Sequence, residues 1–335
     1  MNEEHGRLER ARARAEEPVE SGLKIGVSAC LLGHEVWHSG GHQRDRFVVG
    51  VIGRHAELIP FCPEVWGLDL GVPRPSLRLV RADGAPRMIT TATGRDHTED
   101  AEALGRARAA ELERAGASGY IFKAKSPSCG LERVKVWNDK GQAERAGVGA
   151  FTRAFTAAAP RIACEESGRL NDPRLRFGFV TRVFAHHRLR RLFDGDWRPR
   201  DLVERHSREK MLLLAHSPEI ASKLGRLVAD AGRLDRETVA ARYLDGFLRA
   251  LAPGITTGRH VNALQHMAGH LAEHIGERAR RDLAAAIDDY RRELLPLLVP
   301  LALIRHHARV HEVEYLLGQT YLEPENEELL VKYAV

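Results

Sequence analysis

Four cysteines punctuate the 335-residue chain, at Cys30, Cys62, Cys129 and Cys164, and no two of them form a CxxC pair. Thiols so few and so far apart exclude a disulfide scaffold. They point to a reducing compartment, where thiolates serve as metal ligands or nucleophiles. The first three sit among small residues and turn formers: Ser28-Ala29-Cys30-Leu31-Leu32-Gly33, Phe61-Cys62-Pro63-Glu64 and Ser126-Pro127-Ser128-Cys129-Gly130. Such surroundings bring backbone amides close to sulfur, which suits a bulky anionic group. Three thiolates converging on one crevice could hold zinc, form a redox centre or carry an iron–sulfur cluster. The competing reading is three separately buried core thiols, since free cysteine is among the most buried residue types.

The elements around them must do the positioning. Lys24-Ile25-Gly26-Val27-Ser28 reads as a strand stopping just short of Cys30, and Leu58-Ile59-Pro60-Phe61 as a second one stopping at Cys62. Between them Phe47, Val48, Val51, Ile52 and His55 recur at helical spacing. Thr98 is expected to cap a helix with Glu99 and Asp100 in its first turn and Gly116 as its stop. Tyr120-Ile121-Phe122-Lys123 then reads as a third strand leading to Cys129, and Val134-Lys135-Val136 as a further one. Strands alternating with helices predict an α/β layered N-terminal domain with a mainly parallel sheet. In such sheets ligand-bearing loops lie beyond the carboxyl ends of the strands, where three of the four cysteines fall. From Pro173 onward strand signals vanish. Helical patterns cover roughly 174–193, 199–216, 218–231, 235–252, 259–276, 278–295 and 300–320, with Asp201 and Ser217-Pro218 as starts, so an all-α C-terminal domain follows.

Hydrophobic residues make up 43% and charged residues 29%, the balance of a globular chain, and no apolar run reaches the roughly 18 residues of a membrane span. Residues 1–23 alternate Arg and Glu and are expected to form a disordered or loosely helical tail. They contain no secretory signal, so the expected location is cytoplasmic. A formal net charge of +5 permits an acidic partner without demanding one. It conceals a basic stretch at 174–210 that includes Arg182, Arg188, Arg190, Arg191, Arg205, Arg208 and Lys210. These side chains could neutralise nucleic-acid phosphates, although a solvated helix face paired with its own acids is the plainer reading. His266, His270 and His274 recur on one helical face and His306, His307 and His311 cluster on another. Structural roles or RNA contacts are preferred for them over a second metal.

Several strings carry a family resemblance. SACLLG at 28–33, FCPE at 61–64, GYIFKAKSPSCGLERVKV at 119–136 and CEESGRLNDPRLR at 164–176 resemble the thiouracil desulfidase (TudS) family. LVERHSREKMLLLAHSP at 202–218, HVNALQHMAGH at 260–270 and LLPLLVPLALIRHHARVH at 294–311 resemble the YbgA-like helical domain often joined to it. The pairing is similar to the RudS enzymes, which remove sulfur from 4-thiouridine in transfer RNA. It implies a TudS-like catalytic domain at 24–170, a YbgA-like domain at 171–325 that binds transfer RNA, and a C-terminal tail at 326–335.

The resemblance further implies a 4Fe–4S cluster held by Cys30, Cys62 and Cys129, with one iron open to bind the substrate's sulfur. Water would attack the thiocarbonyl carbon in a redox-neutral hydrolysis of the carbon–sulfur bond. Glu64, two residues after Cys62, is the best placed proton acceptor. Ser126 and Ser128 would orient the base or donate to cluster sulfur, and Cys164 is read as a spare core thiol. Other expected activities are desulfidation of thiouracil as the unattached base, or a non-catalytic metal-bearing RNA-binding or regulatory role. Where relatives carry an Asp before paired glycines, this chain has His38-Ser39-Gly40-Gly41-His42, which leaves His42 as a candidate for reaching the crevice.

Overall fold

Strand β1 (Lys24–Ser28) is buried at every position after its first residue, which explains its unbroken run of small and apolar side chains. In the computed structural model, which describes residues 22–252, 254–324, 328, 331 and 332, it lies at the centre of a four-stranded sheet. The expected N-terminal tail lies outside the described residues except for Gly22 and Leu23, and the expected C-terminal tail except for Glu328, Val331 and Lys332. The other strands are β2 (Glu57–Phe61), β5 (Gly119–Phe122) and β8 (Ala163–Glu166), in the order β2-β1-β5-β8, all parallel. Helices α2 (Thr98–Arg114) and α3 (Ala150–Ala158) pack closely on each other. A Cβ at Gly105 would stand 2.4 Å from the Phe151 carbonyl oxygen, so only glycine admits this approach. Tyr120 and Phe122 stack at 4.2 Å and meet Phe151 and Phe155 in an aromatic core.

A second sheet runs β4-β3-β6-β7, from β3 (Leu77–Val80), β4 (Arg87–Thr90), β6 (Val134–Trp137) and β7 (Ala143–Gly147). Only its β3–β6 pairing is parallel. Of these strands sequence patterning finds β6 alone. The others are four or five residues long, and β7 exposes all but its last residue, so no apolar alternation announces it. The expected helix around Phe47 closes early, as α1 (Arg46–Gly50) followed by a 3-10 turn at Ile52–Arg54. Thr98 does not cap α2: His97 stands at that position, and the Thr98 hydroxyl accepts from the Met88 amide at 2.8 Å. Gly116, at φ +79°, does follow the helix end.

The chain separates into two compact units, one running to Phe179 and the other from Val180, a division that falls inside α4 (Pro173–Phe193). The second unit contains α5 (Pro199–His216), α6 (Pro218–Ala229), α7 (Arg236–Leu251), α8 (Thr257–Leu271), α9 (Glu277–Arg291), α10 (Leu298–Val310) and the short α11 (Glu314–Leu317). The architecture is therefore an α/β region with a mainly parallel first sheet followed by a helical region, as expected. Ser217 caps α6 by accepting from the Ile220 amide at 3.3 Å. Asp201 proves to be the third residue of α5, reaching back to accept from the Arg198 amide at 2.7 Å. The helix expected over 300–320 breaks after Val310, where Glu312 adopts φ +51°. Leu202, Tyr243, Phe247, Leu264, Met267 and Ile304 lie in the core that these helices share. No helix among the described residues is long and apolar enough to cross a membrane.

Candidate functional site

Because β2, β1 and β5 are adjacent and parallel, the residues following them emerge at one edge of the sheet. Cys30 lies in a 3-10 turn at Ala29–Leu32, closed by Gly33 at φ +101°. Cys62 directly follows β2 and caps a short turn, its Sγ accepting from the Val65 amide at 3.5 Å. Cys129 follows β5 by seven residues, in a loop anchored by α3: the Ala150 amide donates to Pro127 O at 3.1 Å and Thr152 Oγ1 to Cys129 O at 2.8 Å. A Cβ at Gly149 would stand 2.3 Å from Ser128 O, so this helix entrance also has no room for a side chain. All three thiols are buried, at 5–8% exposure.

Burial pushes each thiol upward: Cys30 to about 12, helped by the negative charge of Cys62, while Lys123 pulls it back. Cys62 is raised by burial and by Glu64, against the Val65 amide. Cys129 is raised well above the usual range by burial and then by Glu64, with Cys62 and Cys30 adding to the effect. Three thiols that resist ionisation, with Cys62 raising both of the others, form a donor set that a bound cation would help to ionise. Among the described residues, no three His, Cys, Asp or Glu side chains close round one point as a single metal ion requires. A tetrahedral ion with metal–sulfur bonds near 2.3 Å needs its thiolates within roughly 4 Å of one another. A cluster, in which each thiolate takes its own iron, accepts a wider triangle.

Glu64 stands between these thiols and a polar network. Its Oε1 accepts from Ser128 Oγ at 2.5 Å and from Ser126 Oγ at 3.3 Å. Ser128 also reaches Cys129 Sγ at 3.5 Å. The other oxygen, Oε2, accepts from Arg74 Nη2 at 2.5 Å and Nε at 3.1 Å, with both side chains largely buried. Arg74 further donates to Val36 O at 3.1 Å, tying the loop after Cys30 to the carboxylate. Thus Cys30, Cys62, Cys129, Glu64, Ser126 and Ser128 do share one locale.

Arg74 was not legible in the sequence, since it lies in a loop outside every quoted motif. Two other supports lie inside the quoted strings, where nothing in the sequence marks their role. Glu166, at the end of β8, accepts from the amides of Leu131 at 2.7 Å and Glu132 at 3.3 Å, steadying the far side of the Cys129 loop. Lys123 packs over the Trp37 ring at 5.5 Å, placing a cation on the loop after Cys30. The acidic pair and the KAKSPSCG string were the available signals. His42 is exposed and accepts from the Arg44 amide at 3.3 Å within its own turn. Cys164 lies in β8, half-buried, its Sγ donating to Ile162 O at 3.4 Å.

The basic stretch is divided by the fold of the helical unit. Arg188 is a correction: it is buried, with Nε donating to Glu209 at 3.1 Å and Nη1 to Glu328 at 2.5 Å, so it does not belong to a surface stripe. Lys332 completes this buried network at 2.6 Å from Glu328. Arg190 bonds Asp194 at 3.0 Å and Arg205 approaches Glu209 at 3.7 Å, both half-buried, as is Arg182. Arg191, Arg208 and Lys210 are exposed. Among the histidines, His270 packs on the Tyr315 ring at 4.6 Å and His307 lies between His306 and His311.

Buried thiols at the carboxyl edge of a parallel sheet, beside a carboxylate held by two hydroxyls and a guanidinium, make this edge of the α/β unit the candidate site. Residues 25–167 match the family described as 2-thiouracil desulfurase, and residues 210–325 match a family of unknown function, DUF1722. The uncharacterized protein YbgA of Escherichia coli (strain K12) is 36% identical over 145 residues, 43% of this chain and 86% of YbgA. A solved structure, the [4Fe-4S]-dependent thiouracil desulfidase TudS, is similar at 29% identity, covering 45% of this chain and 94% of that one with a TM-score of 0.34. The chain belongs to the family of its YbgA relative, and joined to that part is a TudS-like domain whose match to the 2-thiouracil desulfurase model supports desulfidase activity.

Proposed function

We propose that this protein is a cytoplasmic, iron–sulfur-dependent desulfidase that acts on 4-thiouridine in transfer RNA. Uridine and hydrosulfide are released by redox-neutral hydrolysis of the carbon–sulfur bond. The observation that carries this reading is the placement of Glu64, linked through Ser128 to Cys129 and close enough for its charge to raise all three buried thiols. Cys30, Cys62 and Cys129 would hold a 4Fe–4S cluster, and the donor set suits it: three buried sulfurs at one edge of the sheet. When bound, such a cluster with an open position supplies a soft Lewis acid for a thiocarbonyl sulfur.

The chain's own residues do the rest. Water adds to the thiocarbonyl carbon, the carbon–sulfur bond breaks, and oxygen takes sulfur's place while a proton is released. Glu64 Oε1 accepts that proton, relayed or oriented by the Ser126 and Ser128 hydroxyls. Arg74 positions Glu64 by holding Oε2, so that Oε1 faces the serines. Lys123 favours negative charge at Cys30 and so would favour the thiolate that holds the cluster. Exposed Arg191, Arg208 and Lys210 of the helical unit suit contact with transfer RNA phosphates.

The family description names 2-thiouracil, which favours a second reading: the unattached base is the main substrate. Anaerobically purified full-length protein, incubated in parallel with thiolated transfer RNA and with thiouracil, separates the two by sulfide release. Sulfide from RNA is expected; sulfide from thiouracil alone establishes the second reading, and sulfide from neither removes the enzyme assignment.

A further inference from the structure

The first unit contains a second concavity, of about 940 Å³, that Cys30, Cys62 and Glu64 do not line. Its wall includes Ala124, Lys125 and Pro127, which belong to the loop carrying Ser126, Ser128 and Cys129. Arg78 of β3, Lys135 of β6 and Arg145 of β7 project into it from three neighbouring strands. Lys135 and Arg145 are direct register partners, and Arg78 and Lys135 each immediately precede the registered pair Leu79–Val136. Like charges facing each other across a ladder are destabilising, and adjacent strands lie only about 4.8 Å apart.

The acids of the cavity do not relieve this row. Glu166 is turned to the amides of Leu131 and Glu132, and Asp172 to those of Arg174 and Leu175 at the start of α4. Glu132 is taken by Arg169 and Arg133. Arg78, Lys125, Lys135 and Arg145 make no ion pair among the described residues, and Arg78 Nε is buried without a hydrogen-bond partner. Trp137 adds an aromatic face, with Lys135 Nζ at 5.9 Å from its centroid.

From this row of uncompensated cations beside an indole we propose that the cavity binds a single-stranded RNA segment. The strand phosphates would lie along Arg78, Lys135 and Arg145, and a base would meet Trp137. This rests on the reading of RNA as substrate and assigns it a second contact on the catalytic unit, separate from the helical one. Three neutralised phosphates give a salt slope of about −2 for a single strand, and losing two of them flattens it by about 1.4.

The test uses the full-length, cluster-loaded protein with K135E/R145E and, as a milder pair, K135Q/R145Q; both side chains are exposed. Binding of a labelled, unthiolated single-stranded oligonucleotide is followed by fluorescence anisotropy across a salt series, and sulfide release is measured separately with thiouracil and with thiolated RNA. The expected result is roughly tenfold or greater weakening at low salt for the charge-reversed pair, a flatter salt slope in both, and unchanged turnover of thiouracil. Oligonucleotide binding unaffected by either pair overturns the assignment, as does uridine monophosphate binding as tightly as the oligonucleotide. If binding is lost as expected while wild-type protein releases no sulfide from thiolated RNA, the cavity assignment stands and the substrate reading fails.

Discussion

Arg74 and Glu64 offer the sharpest test of the reaction centre. Replacing Arg74 with Met keeps much of its packing but removes both N–H donors from Glu64 Oε2, at 2.5 and 3.1 Å. The serine contacts to Oε1 remain. Hydrogen bonds to a charged group contribute about 1.5–3 kcal/mol, and both side chains are shielded, at 7% and 15% exposure. A misdirected carboxylate therefore costs roughly ten- to hundredfold in kcat, at about 1.4 kcal/mol per decade. Glu64→Gln removes the proton acceptor outright and should cost about 10²–10⁴-fold. If Arg74 acts only through Glu64, the double variant is no slower than Glu64→Gln alone, because one group cannot be misplaced and missing at once. The assay is anaerobic sulfide release from thiouracil, with iron and acid-labile sulfide content determined for each variant. Losses that multiply in the double variant, at wild-type iron content, would refute the positioning role and send Arg74 to direct substrate contact.

Four further outcomes follow from packing and charge. Gly149→Ala sets a methyl 2.3 Å from Ser128 O, so the Cys129 loop must shift; reduced iron retention after anaerobic reconstitution is expected, with a stability loss of about 1–3 kcal/mol. Arg188→Met removes the cation that joins Glu209 to Glu328 in the helical core, leaving Arg205 at 3.7 Å from the one and Lys332 on the other, and should cost about 3 kcal/mol, read as a lower Tm. Arg191→Glu, on the surface, should leave Tm unchanged and weaken transfer RNA binding. Burial, reinforced by Lys332, holds His260 neutral with its pKa near 4 instead of 6.5. The unfolded chain takes up the proton first, so this contribution is complete above pH 6.5 and is lost as pH falls toward 4. The total is roughly 3 kcal/mol. Urea midpoints followed by far-UV circular dichroism should fall over that window in wild type and fall less in His260→Asn; parallel slopes would exclude His260 as the source.

Much of the scaffold was legible because its causes are local. β1, β2 and β5 announce themselves by short apolar runs, and Ser217-Pro218 by a cap and a residue suited to the first turn. The second sheet was not legible beyond β6, since strands such as Ala143-Glu-Arg-Ala-Gly147 carry no pattern apart from their partners. Arg188 illustrates the same limit. On a helix its charge reads as solvated, and only the arrival of Glu209 and Glu328 makes burial tolerable.

By itself, the sequence determined which residues follow which strand ends, and hence that three thiols and Glu64 sit in turns suited to chemistry. Only the tertiary structure decided that β2, β1 and β5 lie side by side, so that those turns share one edge. It also decided that Arg74 reaches Glu64 and that Arg78, Lys135 and Arg145 align across three strands. The physical reason is that strand order, register and the pairing of buried charges are set by free energies between distant segments. No single stretch of the chain contains both partners.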